Sequence, residues 1–336
     1  MARKMRESPM YDQVSGLPEQ IEESLEMGFE VPPASKMVCI CGMGASALAG
    51  EVISDFVDCS SDIPLNVVRG VELPGWVDEN STVIALSYSG NTKETLIAYD
   101  EARSRGSNII CITSGGDLAR MCKSNGDLIF KLPKGMQSRG AFGYLLGYLA
   151  NVLEKLGVCA AATELKTLIP ELKKHRDLLV DEDEMTVREI AQFIQGKIPV
   201  IYSLADMRSS AIRWKTQINE NSKFISFCGS LPEFNHNEII GWTVDEQNKI
   251  FVPVILYDSD ATEIVRQMTD TSIGILRDRG LRPISYNVNG SSNLEKNLKC
   301  ILLGDLVSLQ LAYLRETDPE GDDPVEEVNH LATEEQ

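Results

Sequence analysis

Histidine and positive charge are scarce in this chain: 336 residues hold three His and 32 Lys and Arg against 50 Asp and Glu, a formal net charge of −18. Nucleic acids and anionic membrane surfaces bind through basic patches, so this balance argues against both as partners. A small anionic ligand stays open. Much of the acidity collects at the end, where Glu316 to Gln336 carries nine acidic residues and no Lys or Arg, which reads as a solvated tail. The eight cysteines form no CxxC pair. Cys39, Cys41, Cys111 and Cys300 lie inside apolar runs, where a reduced thiol packs as a small hydrophobe, so structural thiols are favoured over a redox or metal role. No apolar run approaches the roughly 20 residues that span a bilayer, and the opening MARKMRESPMYDQ lacks the apolar core of a signal peptide. The expected location is the cytoplasm.

What is present is a rhythm. A helix is expected from about Pro18 to Met27, and Pro32 and Pro33 break the chain before a strand at Met37–Cys41. Strand, glycine turn and helix then alternate: VCI into GMGAS and ALAGEVISDF, LNVV, VIALSYSGNT into TKETLIAYDEARSRG, NIICITSGG into DLARMCKSNG, LIFKLP, and a helix from about Phe142 to Leu156. A second series follows, with strands near Pro199–Ser203, Lys223–Cys228, Ile250–Tyr257 and Arg282–Val288. Helices near Ser209–Asn219, Ala261–Arg279 and Leu294–Arg315 fit between or after them. Short apolar strands alternating with helices predict an α/β protein with doubly wound parallel sheets, here duplicated. The expected domains are 1–156, with a leading helix, and 157–336, with a C-terminal helix and the acidic tail.

Residues 83–96, VIALSYSGNTKETL, deliver a Ser- and Thr-lined turn from an apolar strand straight into helix-forming residues. Amides at a helix start are unpaired and carry the positive end of the helix dipole, so an anion gains hydrogen bonds and charge complementarity there. Ser87, Ser89 and Thr92 offer hydroxyls, and Gly90 permits close approach or a positive φ. No Lys or Arg occurs between Val83 and Asn91, so neutral donors would read the phosphate, which suits a small phosphorylated metabolite. An earlier turn, Gly42 to Ala47, formally satisfies the G-x-G-x-x-A dinucleotide fingerprint. Arg69 and Gly70 follow the next strand where that fingerprint expects an acid, so a nicotinamide enzyme and purely structural glycines both stay open beside a phosphate role for Ser46. Both turns would open on the same rim of a parallel sheet.

GMGASALAGEVISDF and SYSGNTKETL resemble the paired signatures of the sugar isomerase (SIS) domain. With TSGGDLARM, QSRGAF, INENSK, LPEFNHNEIIGW and the closing Asp-Pro-Val, the chain from about Met37 to Leu331 resembles the bifunctional phosphoglucose/phosphomannose isomerases. The resemblance implies two flavodoxin-like αβα SIS domains, a homodimer with its active site near the interface, a phosphorylated hexose as substrate, and neither metal nor cofactor. It places Gly44, Ala45, Ser46, Ser87, Ser89 and Thr92 at the substrate phosphate. Glu220 would be the base that shuttles a proton, His236 the group that opens the sugar ring, and Arg139 the cation beside the developing enediolate. His175 and His330 have no such context. The chain departs from the family at its end: Ala332 stands where a lysine contributes to ring opening, and the preceding threonine position falls near Asp323. The sequence is therefore compatible with a working isomerase and with a sugar-phosphate-binding protein of impaired turnover.

Overall fold

The computed structural model describes residues 6, 8–32, 36–57, 61–182, 184–244, 246–321 and 324. Two short helices open the chain, α1 (Pro9–Ser15) and α2 (Leu17–Leu25), each with a proline in its first turn, where the missing N–H would have no helical partner anyway. The first half continues as β1 (Met37–Cys41), α3 (Gly44–Val57), β2 (Leu65–Val68), β3 (Ser81–Leu86), α4 (Lys93–Ser104), β4 (Asn108–Thr113), α5 (Gly116–Asn125), β5 (Leu128–Lys131) and α6 (Phe142–Lys155). Then α7 (Ala161–Asp177) and α8 (Glu184–Ile194) lead to the second half. It comprises β6 (Ile198–Leu204), α9 (Arg208–Ser222), β7 (Phe227–Leu231), α10 (Glu238–Val244), β8 (Phe251–Tyr257), α11 (Glu263–Asp278), β9 (Ile284–Asn287) and α12 (Asn293–Leu314).

Both sheets are parallel throughout, with strand orders β2-β1-β3-β4-β5 and β7-β6-β8-β9. The doubly wound α/β fold expected from the sequence is present. One strand is displaced: β7 begins at Phe227, not Lys223. Lys223 adopts a left-handed conformation (φ 50°) and its N–H returns to the Ile218 carbonyl, closing α9 where a strand was expected.

Strand alternation sorts the core. Val38, Ile40, Ile84 and Leu86 face inward, whereas Cys39, Cys41, Val83 and Ala85 face outward with α4 and α5 residues. In the second sheet Ile201, Val254 and Leu256 join the same inward cluster as the first, and Tyr202, Leu204 and Ile255 pack outward with Ile273 and Leu276 of α11. A single layer of helices, including α3, α6, α9 and α12, thus lies between the sheets and is shared by them. Within it, α12 is buried around nearly its whole circumference, as a helix hydrophobic on all sides must be. By length and hydropathy alone it could cross a bilayer, but 83% of that window is buried inside the protein, so it is a core helix. Burial pushes the thiols of Cys39, Cys41 and Cys300 upward, to about 12 for Cys39, which keeps them protonated packing groups.

Helix α2 seats on α6 through a position that admits no side chain. A Cβ on Gly143 would lie 2.7 Å from both the Leu17 carbonyl oxygen and Gln20 Cβ. The Gln20 amide meanwhile spans to the Gly140 carbonyl (2.9 Å) and accepts from Gly143 N (3.0 Å). Gly143→Ala is expected to destabilise the protein by about 1–3 kcal/mol through this overpacking. An equilibrium urea titration checks it: the midpoint should fall with an unchanged slope.

Candidate active site

At the C-terminal end of β3, Ser87 N still donates to Ile112 O (3.1 Å), and the chain then turns sharply. Gly90 carries φ +70°, and a Cβ there would fall 1.9 Å from the Gly115 carbonyl oxygen, so glycine is required twice over. The turn is fastened to α5 by Leu118 N on Gly90 O (2.9 Å) and by Asp117 N on Asn91 Oδ1 (3.0 Å). Within it, Ser87 Oγ and Thr92 Oγ1 are 2.9 Å apart, and Gly90 N and Asn91 N donate to the Ser87 and Ser89 hydroxyls at 3.1 and 3.2 Å. Thr92 sits at the N-cap of α4, yet its hydroxyl turns to Ser87 and makes no capping bond. Hydroxyls converge here beside uncapped helix amides, an arrangement that can receive a tetrahedral oxyanion.

Strand β1 pairs with β3, so the Gly42–Ala47 turn opens beside this one on the same edge. Gly44 takes φ +52° at the start of α3, Ala45 is half-buried and Ser46 is buried. Arg69, which kept a nicotinamide reading open, pairs its Nε and NH2 with Glu51 at 2.7 and 2.8 Å. That bidentate ion pair already occupies the guanidinium, which removes the feature that favoured a ribose phosphate.

Helices α3 and α9 pack together, and Asp55 near the end of α3 accepts from Ser209 N at the start of α9 (2.9 Å), so the two run antiparallel. Following each axis at about 1.5 Å per residue brings Ser46 and Glu220 to the same opposite end. There the long β5–α6 connection delivers Arg139. Its Nε donates to Asn221 Oδ1 (2.9 Å), its NH1 lies 3.5 Å from Glu220 Oε2, and its NH2 donates to the Pro319 carbonyl (2.6 Å). The connection is also tied to the hydroxyl-lined turn: Tyr88 OH donates to Pro133 O (2.9 Å) and accepts from Met136 N (3.1 Å).

Beneath Arg139 lies a buried support. Arg213 donates to the Arg139 carbonyl (2.8 Å) while gripping Asp305 through Nε and NH2 at 2.8 and 2.7 Å, with the Phe142 ring 4.5 Å away. Burial holds the Asp305 carboxyl above the ordinary carboxylate range, and the Arg213 guanidinium offsets this only in part. Asn221 is held in turn by Ser308 Oγ (2.9 Å). Arg139 is consequently a fixed, largely buried cation, whereas the Glu220 side chain is 41% exposed and touches Arg139 only at the limit of hydrogen bonding. A fixed cation beside a more exposed carboxylate can stabilise an oxyanion while the carboxylate moves a proton.

His236 stands apart. It ends a helical turn (Glu233–His236) anchored by buried Phe234 and by Ser272 Oγ on Asn235 Oδ1 (2.6 Å), and is itself exposed. Among the described residues, no hydrogen bond or ion pair joins it to Arg139 or Glu220. Asp323, His330 and Ala332 lie outside the described residues. The segment leading to them does reach this region, since Pro319 meets Arg139, and Glu320 accepts from Ser8 Oγ and Met10 N at 3.1 and 3.0 Å. Sequence reasoning missed Arg213, Asp305, Asn221 and Tyr88. A lone acid within ILLGDLVSL was the available signal, because an aspartate in so apolar a run must find a cation.

Comparisons with known proteins bear on the fold and the family. The SIS domain family model matches residues 34–162, and that of the bacterial phospho-glucose isomerase C-terminal SIS domain matches residues 184–331. A bifunctional phosphoglucose/phosphomannose isomerase of Aquifex aeolicus is 39% identical over 84% of this chain and 86% of its own length. The one from Caldicellulosiruptor bescii is 34% identical over 96% and 97%. Among solved structures, the C-terminal domain of glucosamine-fructose-6-phosphate aminotransferase from Francisella tularensis superimposes with a TM-score of 0.73 at 16% identity, covering 93% of this chain and 98% of that one. Two SIS halves in one chain, with 39% and 34% identity to these relatives over 84% and 96% of it, place the protein in the bifunctional phosphoglucose/phosphomannose isomerase family.

Proposed function

We propose that this protein interconverts fructose 6-phosphate with glucose 6-phosphate and mannose 6-phosphate, as a homodimer in the cytoplasm. The observation that carries the reading is the pairing of Glu220 with Arg139 at 3.5 Å, on the edge that also bears the two hydroxyl-lined turns. Ser46, Ser87, Ser89 and Thr92, with the amides at Gly44 and Ala45, hold the phosphate. His236 donates a proton to the ring oxygen as the anomeric hydroxyl gives its proton to solvent water, opening the sugar. Glu220 then takes the proton from C2 of the aldose and returns it to C1, and Arg139 faces the enediolate oxygen formed between these steps. Because His236 is exposed and, among the described residues, bonded to neither Arg139 nor Glu220, it serves the site of a second copy. The neighbouring apolar groove of about 460 Å³, lined by Asn235, Ile239, Ile264 and Met268, together with exposed Ile240, is surface that such a copy would cover.

A coupled assay with the three hexose 6-phosphates tests the reading directly. Ser87→Ala should raise KM by about tenfold or more, the worth of one hydrogen bond to a charged group, while kcat changes little. An unchanged KM would remove Ser87 from the phosphate site. A second reading, binding without turnover, rests on Ala332 in the place of the family lysine. Calorimetric saturation by fructose 6-phosphate with no product from any of the three sugars would establish it.

A further inference from the structure

We propose that Lys134 is the cation that draws the substrate's phosphate into the Ser87–Thr92 turn. The inference rests on the sugar-phosphate reading above. That turn contains no Lys or Arg before Lys93 opens α4, and the chain carries a formal charge of −18, about half of it in the terminal segment from Glu316, so a dianionic phosphate is read there by neutral donors within a net acidic protein. Lys134 lies far from the turn in sequence but is fixed beside it. Tyr88, a residue of the turn itself, holds the backbone on both sides of the lysine, through Pro133 O at 2.9 Å and Met136 N at 3.1 Å. The ammonium lies 3.6 Å from where a Cβ on Gly115 would sit, and the Gly115 carbonyl is the group packed against Gly90. Lys134 therefore stands at the rim of the turn.

Its charge is also unspent. Arg69, Arg103, Arg105 and Arg120 of the same half are each paired to a carboxylate. Lys134 is exposed and, among the described residues, has neither an ion pair nor a hydrogen bond. An unpaired cation at the mouth of a neutral anion cradle raises the local concentration of a charged ligand and speeds its capture, and salt screens this effect. Tyr88 acts as the positioning residue for it. The reacting carbons are served by other groups, so Lys134 should govern capture and leave proton transfer alone.

Steady-state kinetics on the full chain with fructose 6-phosphate, at low and at physiological ionic strength, test the assignment. Lys134→Met should raise KM about tenfold with kcat within about twofold, and should flatten the decline of kcat/KM with salt. Lys134→Arg should restore both. Lys123→Met, which removes the same charge at the far end of α5, should do neither. A Lys134→Met enzyme with wild-type KM and salt dependence overturns the inference, as does a loss confined to kcat. If the wild-type protein turns over no hexose phosphate, the isomerase reading fails separately. Inorganic phosphate titrated calorimetrically into wild type and Lys134→Met then still decides: a weaker affinity in the variant supports Lys134, and equal affinities overturn it.

Discussion

Glu220→Gln is expected to lower kcat by about 10²–10⁴-fold while KM for fructose 6-phosphate stays within about threefold. Glutamine keeps the shape of the side chain and an oxygen for Arg139 NH1, so the pocket stays assembled, but the group can no longer take a proton from carbon. The position suits this test because the Glu220 side chain is 41% exposed, and a neutral replacement leaves no buried charge stranded. Proton NMR in deuterated water gives an independent readout. The wild-type enzyme should wash deuterium into C2 of glucose 6-phosphate, and the variant should not. Activity within tenfold of wild type would transfer the role of base to another residue.

The second large effect is on stability. Asp305→Ala leaves the Arg213 guanidinium buried with its carboxylate partner gone, and stranding one member of a buried pair typically costs about 3–5 kcal/mol. A fall in thermal midpoint of several degrees should accompany it. The double replacement Arg213→Met with Asp305→Leu should recover much of the lost stability, since apolar residues can fill such a site without an unpaired charge. It should not recover activity, because the Arg139 carbonyl would still lack the Arg213 donor that fixes it. Full activity in a stable double variant would show that Arg139 is positioned by other contacts.

These two sites also show how far the sequence can be read. The hydroxyl-lined turn after β3 is a local object: strand, hydroxyls, glycine and helix start fall within ten or so consecutive residues, and the strand and helix lie where that pattern predicts. The strands and most long helices follow from apolar alternation and length in the same way. What escaped depends on distance along the chain. Arg213 meets Asp305 across 92 positions, and Arg139 meets Asn221 across 82, so no local pattern could announce either pair. Helix α1 is only seven residues long, and part of its support comes from Glu320 at the other end of the chain. Strand β7 was misplaced because a single left-handed lysine ends α9 later than apolar content alone suggests.

The shared helix layer has a consequence for any exchange of parts between relatives. Each sheet presents its inner face to helices that also serve the other, so either half taken alone would expose the surface its twin now covers. A chimaera joined between the halves must match helix α12 and its neighbours at once, volume for volume, or it inherits an ill-fitting seam. Substitutions at the exposed rim of the turns, as at Lys134, face no such packing constraint, while the joined interior holds its sequence in place.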